Sequence, residues 1–99
     1  MSAIHITLGQ VMGAGAPVFA PTPRAVQALA SDSTSTASTI TADDGDYACI
    51  AAYGGDVLIT IGPSPVAATG TGYRIATGTR MEFGPLKAGD RIAVIDAPA

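Results

Sequence analysis

Apolar and polar side chains alternate at the start of the chain, in the pattern of a strand with one buried face. Ile4, Ile6 and Leu8 fall on one side of this segment, whereas His5 and Thr7 fall on the other. The pattern predicts a β-strand over residues 3–8.

The clearest apolar runs lie in the second half of the chain and predict strands over 47–53 and 56–61. Gly54 and Gly55 separate these runs, and two glycines between strands favour a two-residue hairpin turn. The sequence therefore predicts that the two strands pair with each other. Apolar side chains occur on both faces of the 56–61 strand, which predicts that it is covered on both sides.

Shorter segments between turn-forming residues predict further strands over 73–75, 79–83 and 91–96. The run 24–30 is interpreted as a strand, although its two large apolar residues also fit a helical spacing. Residues 31–41 are rich in serine and threonine, and they fit either a flexible linker or a surface strand. Short strands separated by glycine, proline and aspartate turns predict an all-β fold, a small antiparallel β-sandwich or jelly-roll-like domain with an extended N-terminal arm.

The segment after the first strand is rich in proline and glycine. We expect it to form an extended arm, because each proline removes a backbone donor and biases the residue before it towards extended geometry. It ends near Arg24, so the chain divides into residues 1–24, a strand followed by the arm, and residues 25–99, the sandwich body of the same single domain. Large apolar side chains are unusual on a solvated linker, so we expect the arm to be anchored against other protein. The predicted anchors are Val11, Met12, Val18 and Phe19.

Composition narrows the possible partners. Charged residues make up 13% of the chain and the net charge is −3, which argues against nucleic acid because its binding depends on clustered positive charge. No apolar run approaches the length of a membrane span. A charged fraction below the usual value of about 25% indicates that much of the surface contacts other protein. Nineteen of the apolar residues are alanine, so the core is expected to be thin.

No combination of residues predicts catalysis or a bound cofactor. Cys49 and His5 are single, so neither an internal disulfide nor a metal site is expected. The aspartates around Gly45 lack the chelating glutamate of a calcium loop, and a solvated turn over 43–46 is predicted instead. Because no acid–base pair or nucleophile motif is present, we expect a protein that is not an enzyme.

Four of the five basic residues lie in the last third of the chain. One interpretation is that these charges lie on strand edges and prevent the edges from pairing with other chains. Alternatively, Arg74 or Arg80 pairs with an acidic residue of an adjoining subunit, which the rigid guanidinium fork of arginine would suit. Both arginines are therefore candidate interface residues.

Four stretches of the second half of the chain carry a family resemblance. They are Tyr-Ala-Cys-Ile-Ala-Ala at 47–52, Val-Leu-Ile-Thr-Ile-Gly-Pro-Ser-Pro-Val-Ala at 57–67, Met-Glu-Phe at 81–83, and Ala-Gly-Asp-Arg-Ile-Ala-Val-Ile at 88–95. Together they resemble small virion structural proteins of tailed bacteriophages, in which a strand ending in Ile-Gly-x-x-Pro precedes a loop rich in alanine and threonine. The resemblance covers about half of the chain, and the proline-rich segment before Arg24 does not match it.

The resemblance implies a capsid decoration, cement or head-spike protein with a jelly-roll or related β-sandwich fold, and it transfers no catalytic residue. The expected function is to decorate or stabilise a capsid, or to form part of a head spike, through contacts with the major capsid protein or other virion proteins. Such a protein is assembled in the bacterial host cytoplasm and resides in the virion. A homo-oligomer is expected because neighbouring subunits can complete the stability of a thin sandwich.

The alternative function is a carbohydrate-binding or adhesive β-sandwich module. Such a module needs exposed aromatic side chains that stack on sugar rings, and the candidates are Tyr47, Tyr53 and Tyr73. A small enzyme is the third class, and the lack of paired acid–base residues disfavours it.

Overall fold

The structure, a computed structural model, describes residues 2–9, 11–12, 18–19, 25–68 and 72–97. Each of the seven strands with defined predicted bounds starts and ends within one residue of an observed strand. No helix occurs in the described part of the chain, so the all-β fold is confirmed. The strands are β1 (Ala3–Gly9), β2 (Val11–Met12), β3 (Val18–Phe19), β4 (Ala25–Ala30), β5 (Thr36–Ala37), β6 (Tyr47–Tyr53), β7 (Val57–Gly62), β8 (Tyr73–Ile75), β9 (Arg80–Phe83) and β10 (Arg91–Asp96).

Eight of these strands form two four-stranded antiparallel sheets that pack together. The first sheet has the order β4-β1-β6-β9, and the second has the order β5-β10-β7-β8. Three pairs are nested along the chain, with β7–β8 innermost, β6–β9 next and β5–β10 outermost. The chain from β5 to β10 is thus one long antiparallel hairpin rolled into two layers, the arrangement of a jelly roll.

The first strand of the chain closes this roll. β1 lies between β4 and β6, so an N-terminal strand occupies an interior position of the first sheet. Ser31 contacts residues near both ends of the described chain. Its amide donates a hydrogen bond to the Ser2 carbonyl, and its hydroxyl donates one to the Asp96 carboxylate. The antiparallel β-sandwich with jelly-roll-like topology is therefore confirmed.

The core lies between the two sheets and is made chiefly of isoleucine, whose branched Cβ packs well on a pleated surface. On β1, for example, Ile4, Ile6 and Leu8 are all fully buried, as the alternation predicts. The fully buried large aliphatic side chains are Ile4, Ile6, Leu8, Ile50, Val57, Ile59, Ile75, Ile92 and Val94. The core is a single layer, which agrees with the small number of large apolar residues.

The predicted pairing of β6 with β7 is wrong. β6 pairs with β1 and β9, whereas β7 pairs with β10 and β8 in the other sheet. Gly54 and Gly55 carry the chain from one sheet to the other, at φ values of +81° and +152° that favour glycine. A glycine pair permits a sharp change of direction, but the partners of each strand depend on the whole sheet. The prediction that β7 is covered on both sides is confirmed, since Val57 and Leu58 point to opposite faces and are both buried.

Residues 31–41 contain the two-residue strand β5 and otherwise consist of bends and irregular backbone, so the surface-strand interpretation holds only for residues 36–37. They are held by specific hydrogen bonds, so the linker interpretation does not describe them. The buried Ser38 hydroxyl donates to the Ile40 carbonyl and accepts from the Ile92 amide. The Gln27 side-chain oxygen accepts from the amides of Thr39 and Ile40 at 3.0 and 3.3 Å, which joins edge strand β4 to this segment.

The predicted arm falls mostly outside the described residues, which omit 10, 13–17 and 20–24. Within it the backbones of β2 and β3 pair with each other, in an antiparallel register that sets Val11 opposite Phe19. The side chains of all four predicted anchors, Val11, Met12, Val18 and Phe19, lie outside the described residues. The segment connects β1 to its neighbour β4, so any deletion that tests it must spare β1.

Candidate interaction surface

The outward-facing side of the first sheet consists of exposed and half-buried residues along all four strands, and we call it the open face. Because side chains alternate along strands, its members are the residues next to the buried ones. They are Ala3, His5, Thr7, Val26, Ala28, Ala30, Tyr47, Cys49, Ala51, Tyr53, Arg80 and Glu82, all of them exposed or half-buried. Most of these side chains are small or apolar, so few long or charged side chains project from the centre of the face.

The outward side of the second sheet differs because the chain covers it. Leu58, Ala93 and Ile95 on this side are buried together with Ala67 of the loop that follows β7. The Ala67 amide donates to the Ser35 hydroxyl at 2.8 Å, which fastens the loop against the sheet. One apolar sheet face is therefore closed by the chain itself, whereas Val26 on the open face remains 45% exposed.

Cys49 is the one thiol of the chain, and it lies on the open face between Thr7 and Glu82 of the neighbouring strands. Partial burial raises the pKa of the Cys49 thiol, the negative charge of Glu82 raises it further, and Arg80 lowers it by less. The thiol is held in its protonated form, which is the unreactive form of cysteine. The position favours packing over nucleophilic chemistry.

Other ionisable groups of the described chain serve local structure. Gly45 has a φ of +86°, which confirms a turn over 43–46. The prediction that this turn is solvated is wrong at Asp46, which is fully buried and whose carboxylate accepts a hydrogen bond from the Asp43 amide at 2.9 Å. His5 is exposed on the open face. Among the described residues, no three His, Cys, Asp or Glu side chains come together as a metal site would require.

Arg74 and Arg80, the two candidate interface arginines, occupy different environments. Arg74 donates to the Asp56 carboxylate of its own chain at 3.0 Å, and the Thr77 amide donates to the other oxygen. These contacts, first the Thr77 amide and then Arg74, lower the pKa of Asp56. Arg80 is exposed on edge strand β9, and no ion pair involves it within the described residues.

Two of the three tyrosines are too far apart to act together on one sugar ring. Tyr47 and Tyr53 lie at opposite ends of β6, about 20 Å apart along the strand. Tyr73 lies on edge strand β8, where its ring meets that of Phe83 edge-on at 5.2 Å and bridges the two sheets.

Sequence reasoning identified the individual strands of the open face but missed the face itself. Its signal is that β4 and β6 carry small or apolar residues on the side opposite their core residues, and that β1 carries Ala3 and Thr7 there beside His5. That signal becomes a surface only when the sheet order places these three strands side by side.

No protein family, curated protein or solved structure matches this chain. The described residues also contain no helix that is long and apolar enough to cross a membrane.

Proposed function

We propose that this protein is a non-enzymatic virion structural subunit that decorates or stabilises a capsid or forms part of a head spike. The open face is the observation that carries the proposal. A sheet face rich in alanine, with charges confined to the β9 edge, suits a lasting contact with another protein, since apolar contact gains free energy without the cost of desolvating charges.

The extent of the open face supports a contact made together with other surfaces. Four strands spaced about 4.8 Å apart and about 20 Å long span roughly 400 Å². A stable interface needs about 800 Å² from each partner. A subunit held by several neighbours meets this requirement, as in a capsid lattice or spike, where each contact is modest and the sum is large.

The resemblance of residues 47–96 to small virion proteins of tailed bacteriophages supports the more specific form of the proposal. It makes the partner a major capsid protein or another virion protein, and it places the subunit on the capsid surface or in a spike. The low charge of the chain supports the same form, because surfaces that stay buried in an assembly do not need charges for solvation. The scattered tyrosines do not favour a carbohydrate-binding module.

The direct test is mass spectrometry of particles purified on a density gradient from lysates of the organism that encodes the chain. Trypsin cleaves after Arg74, Arg80 and Lys87, so the diagnostic peptides are 75–80 and 81–87. The proposal expects both peptides in the particle band at a fixed ratio to the major capsid protein. Their presence only in the unassembled fraction would contradict it.

A matched pair of variants tests the role of the open face. Ala51→Glu places a charge at the centre of the face, between His5 on β1 and Arg80 on β9, where it leaves the core untouched and lies opposite no like charge. Ala88→Glu adds the same charge to an exposed turn. We expect Ala51→Glu alone to lose incorporation into particles at unchanged thermal stability. Equal incorporation of both variants would show that the open face is not the surface that contacts the particle.

A further inference from the structure

One edge of the first sheet lacks the features that normally prevent strands from pairing with other chains. Natural proteins protect such edges by making them short or by placing charges and prolines on them. β5 has two residues, β8 has three with Arg74 at its centre, and β9 carries Arg80 and Glu82. β4 is the fourth edge, and its six residues, Ala-Val-Gln-Ala-Leu-Ala, include no charge, proline or glycine.

The hydrogen-bond alternation shows which backbone groups of β4 are available. The Ser31 amide donates to the Ser2 carbonyl at 2.9 Å, and in an antiparallel pair every second residue bonds to the same neighbour. Gln27 and Leu29 therefore bond to β1, whereas the amides and carbonyls of Val26, Ala28 and Ala30 point away from the sheet. These outward groups have no hydrogen-bond partner in the described part of the chain, and their side chains are exposed.

We propose that β4 pairs antiparallel with β4 of a second copy of this chain, around a two-fold axis at Ala28. In this register Ala28 faces Ala28 of the second copy, and Val26 faces Ala30 of the second copy on either side. Each of these three pairs exchanges two backbone hydrogen bonds, so every outward amide and carbonyl of the three residues is satisfied. The first sheet of one copy and the first sheet of the other then form one continuous eight-stranded sheet.

The side chains of β4 suit this register. Residues directly opposite each other in an antiparallel pair have Cβ atoms about 5 Å apart, which alanine and valine occupy without collision. No like charges meet, because β4 has none.

This inference concerns the strand edge and goes beyond the proposed function, because the pairing forms whether or not the protein enters a virion. It makes the dimer the building unit of any larger assembly. It also aligns the open faces of the two copies on one side of a shared sheet, which doubles the flat surface that is offered to a further partner.

The first test is the solution mass of the full chain by light scattering over a range of concentrations. The proposal expects a mass that rises towards twice 9.8 kDa. Ala28→Pro removes the central outward amide and leaves the bonds to β1 intact, so it is expected to give a monomer. Ala88→Pro is the matched control, because Ala88 follows Lys87 in an exposed turn where proline is favoured. The control is expected to keep the mass of the unaltered chain.

Residue-resolved hydrogen exchange tests the geometry itself. In the unaltered chain the amides of Val26, Ala28 and Ala30 are expected to exchange as slowly as those of Gln27 and Leu29 at high concentration, and faster on dilution. If Ala28→Pro fails to fold, Ala28→Lys keeps the amide and sets two positive charges opposite each other, which is expected to give a monomer.

Two results would overturn the inference: a monomer at every concentration, or a dimer in which the three outward amides exchange rapidly. Neither result bears on the presence of the protein in particles. Conversely, a dimer with protected amides and no peptides in particles would contradict the proposed function alone.

Discussion

The substitution Ile50→Ala tests the sandwich at the centre of its first sheet. Ile50 is fully buried on β6, with Ile6 of β1 on one side and Met81 of β9 on the other, and it faces the second sheet. Truncation to alanine removes buried carbon atoms and leaves a cavity. Because β6 is hydrogen-bonded on both edges, its backbone cannot move to fill that cavity.

The expected cost follows from this geometry. Truncating a buried isoleucine to alanine costs about 2–5 kcal/mol, and the larger values belong to sites that cannot collapse. We expect about 3–4 kcal/mol for Ile50→Ala, against a total free energy of unfolding of roughly 5–15 kcal/mol for a domain of this size. Ile50→Val removes only one methyl group and is expected to cost about 1 kcal/mol.

Urea unfolding, followed by circular dichroism at one fixed protein concentration, measures these values. A slope of about 1.5–2 kcal/mol/M converts the expected loss into a fall of about 2 M in the midpoint. Val66→Ala is the surface control, since Val66 is 71% exposed in the loop after β7, and its cost is expected to stay within about 0.5 kcal/mol. A cost below about 1 kcal/mol for Ile50→Ala would refute the reasoning, because it would show that β6 does not face a packed second sheet.

Three further predictions concern polar contacts. The pKa of Asp56 is lowered in the folded chain, so its ionised carboxylate stabilises the fold above the ordinary aspartate pKa, and this stabilisation is lost as pH falls through the lowered value. In Asp56→Asn, urea unfolding measured at a series of acidic pH values is therefore expected to show a smaller fall of the unfolding free energy with decreasing pH. We call this fall the acid limb. The raised pKa of Cys49 predicts slow alkylation by iodoacetamide near pH 8, and Glu82→Gln is expected to accelerate it, which mass spectrometry measures. Gln27→Ala removes the acceptor of the Thr39 and Ile40 amides, which water can partly replace, and urea unfolding is expected to show a loss of about 1 kcal/mol.

Each of these predictions has an outcome that contradicts it. An unchanged acid limb in Asp56→Asn would mean that the Thr77 and Arg74 contacts are absent in solution. An alkylation rate equal to that of an unfolded cysteine peptide would mean that Cys49 is not shielded. For Gln27, a loss no larger than that of the Val66→Ala control would show that the bridge from β4 to residues 39–40 does not form.

Much of the local structure was predictable because it depends on short-range physics. The alternation at Ile4, Ile6 and Leu8 places one face of β1 in the core whatever its neighbours are. The prolines after Gly62 end β7, because proline cannot continue a central strand. The turn over 43–46 follows from its own residues, although the burial of Asp46 involves backbone hydrogen bonds with distant Leu86. Strand positions, turns and the inward faces of strands were therefore available from the sequence.

Pairing between strands was not predictable in the same way. The two glycines after β6 suggested a hairpin, yet β6 and β7 belong to different sheets. The N-terminal position of β1 suggested a strand beside an arm, yet β1 lies inside the first sheet. Both outcomes depend on partners distant in the chain, such as the pairing of β1 with β6, and no local residue pattern encodes those partners.

The surfaces on which the two proposals rest arise from this long-range pairing. The sequence by itself determined an all-β chain with a thin aliphatic core and low charge. Only the tertiary structure decided that β4 is an unprotected edge, that β1, β4 and β6 present small side chains side by side, and that the loop after β7 covers the other sheet instead. The physical reason is that a strand has two edges and two faces, and its own residues specify the inward face, whereas its neighbours decide what remains exposed.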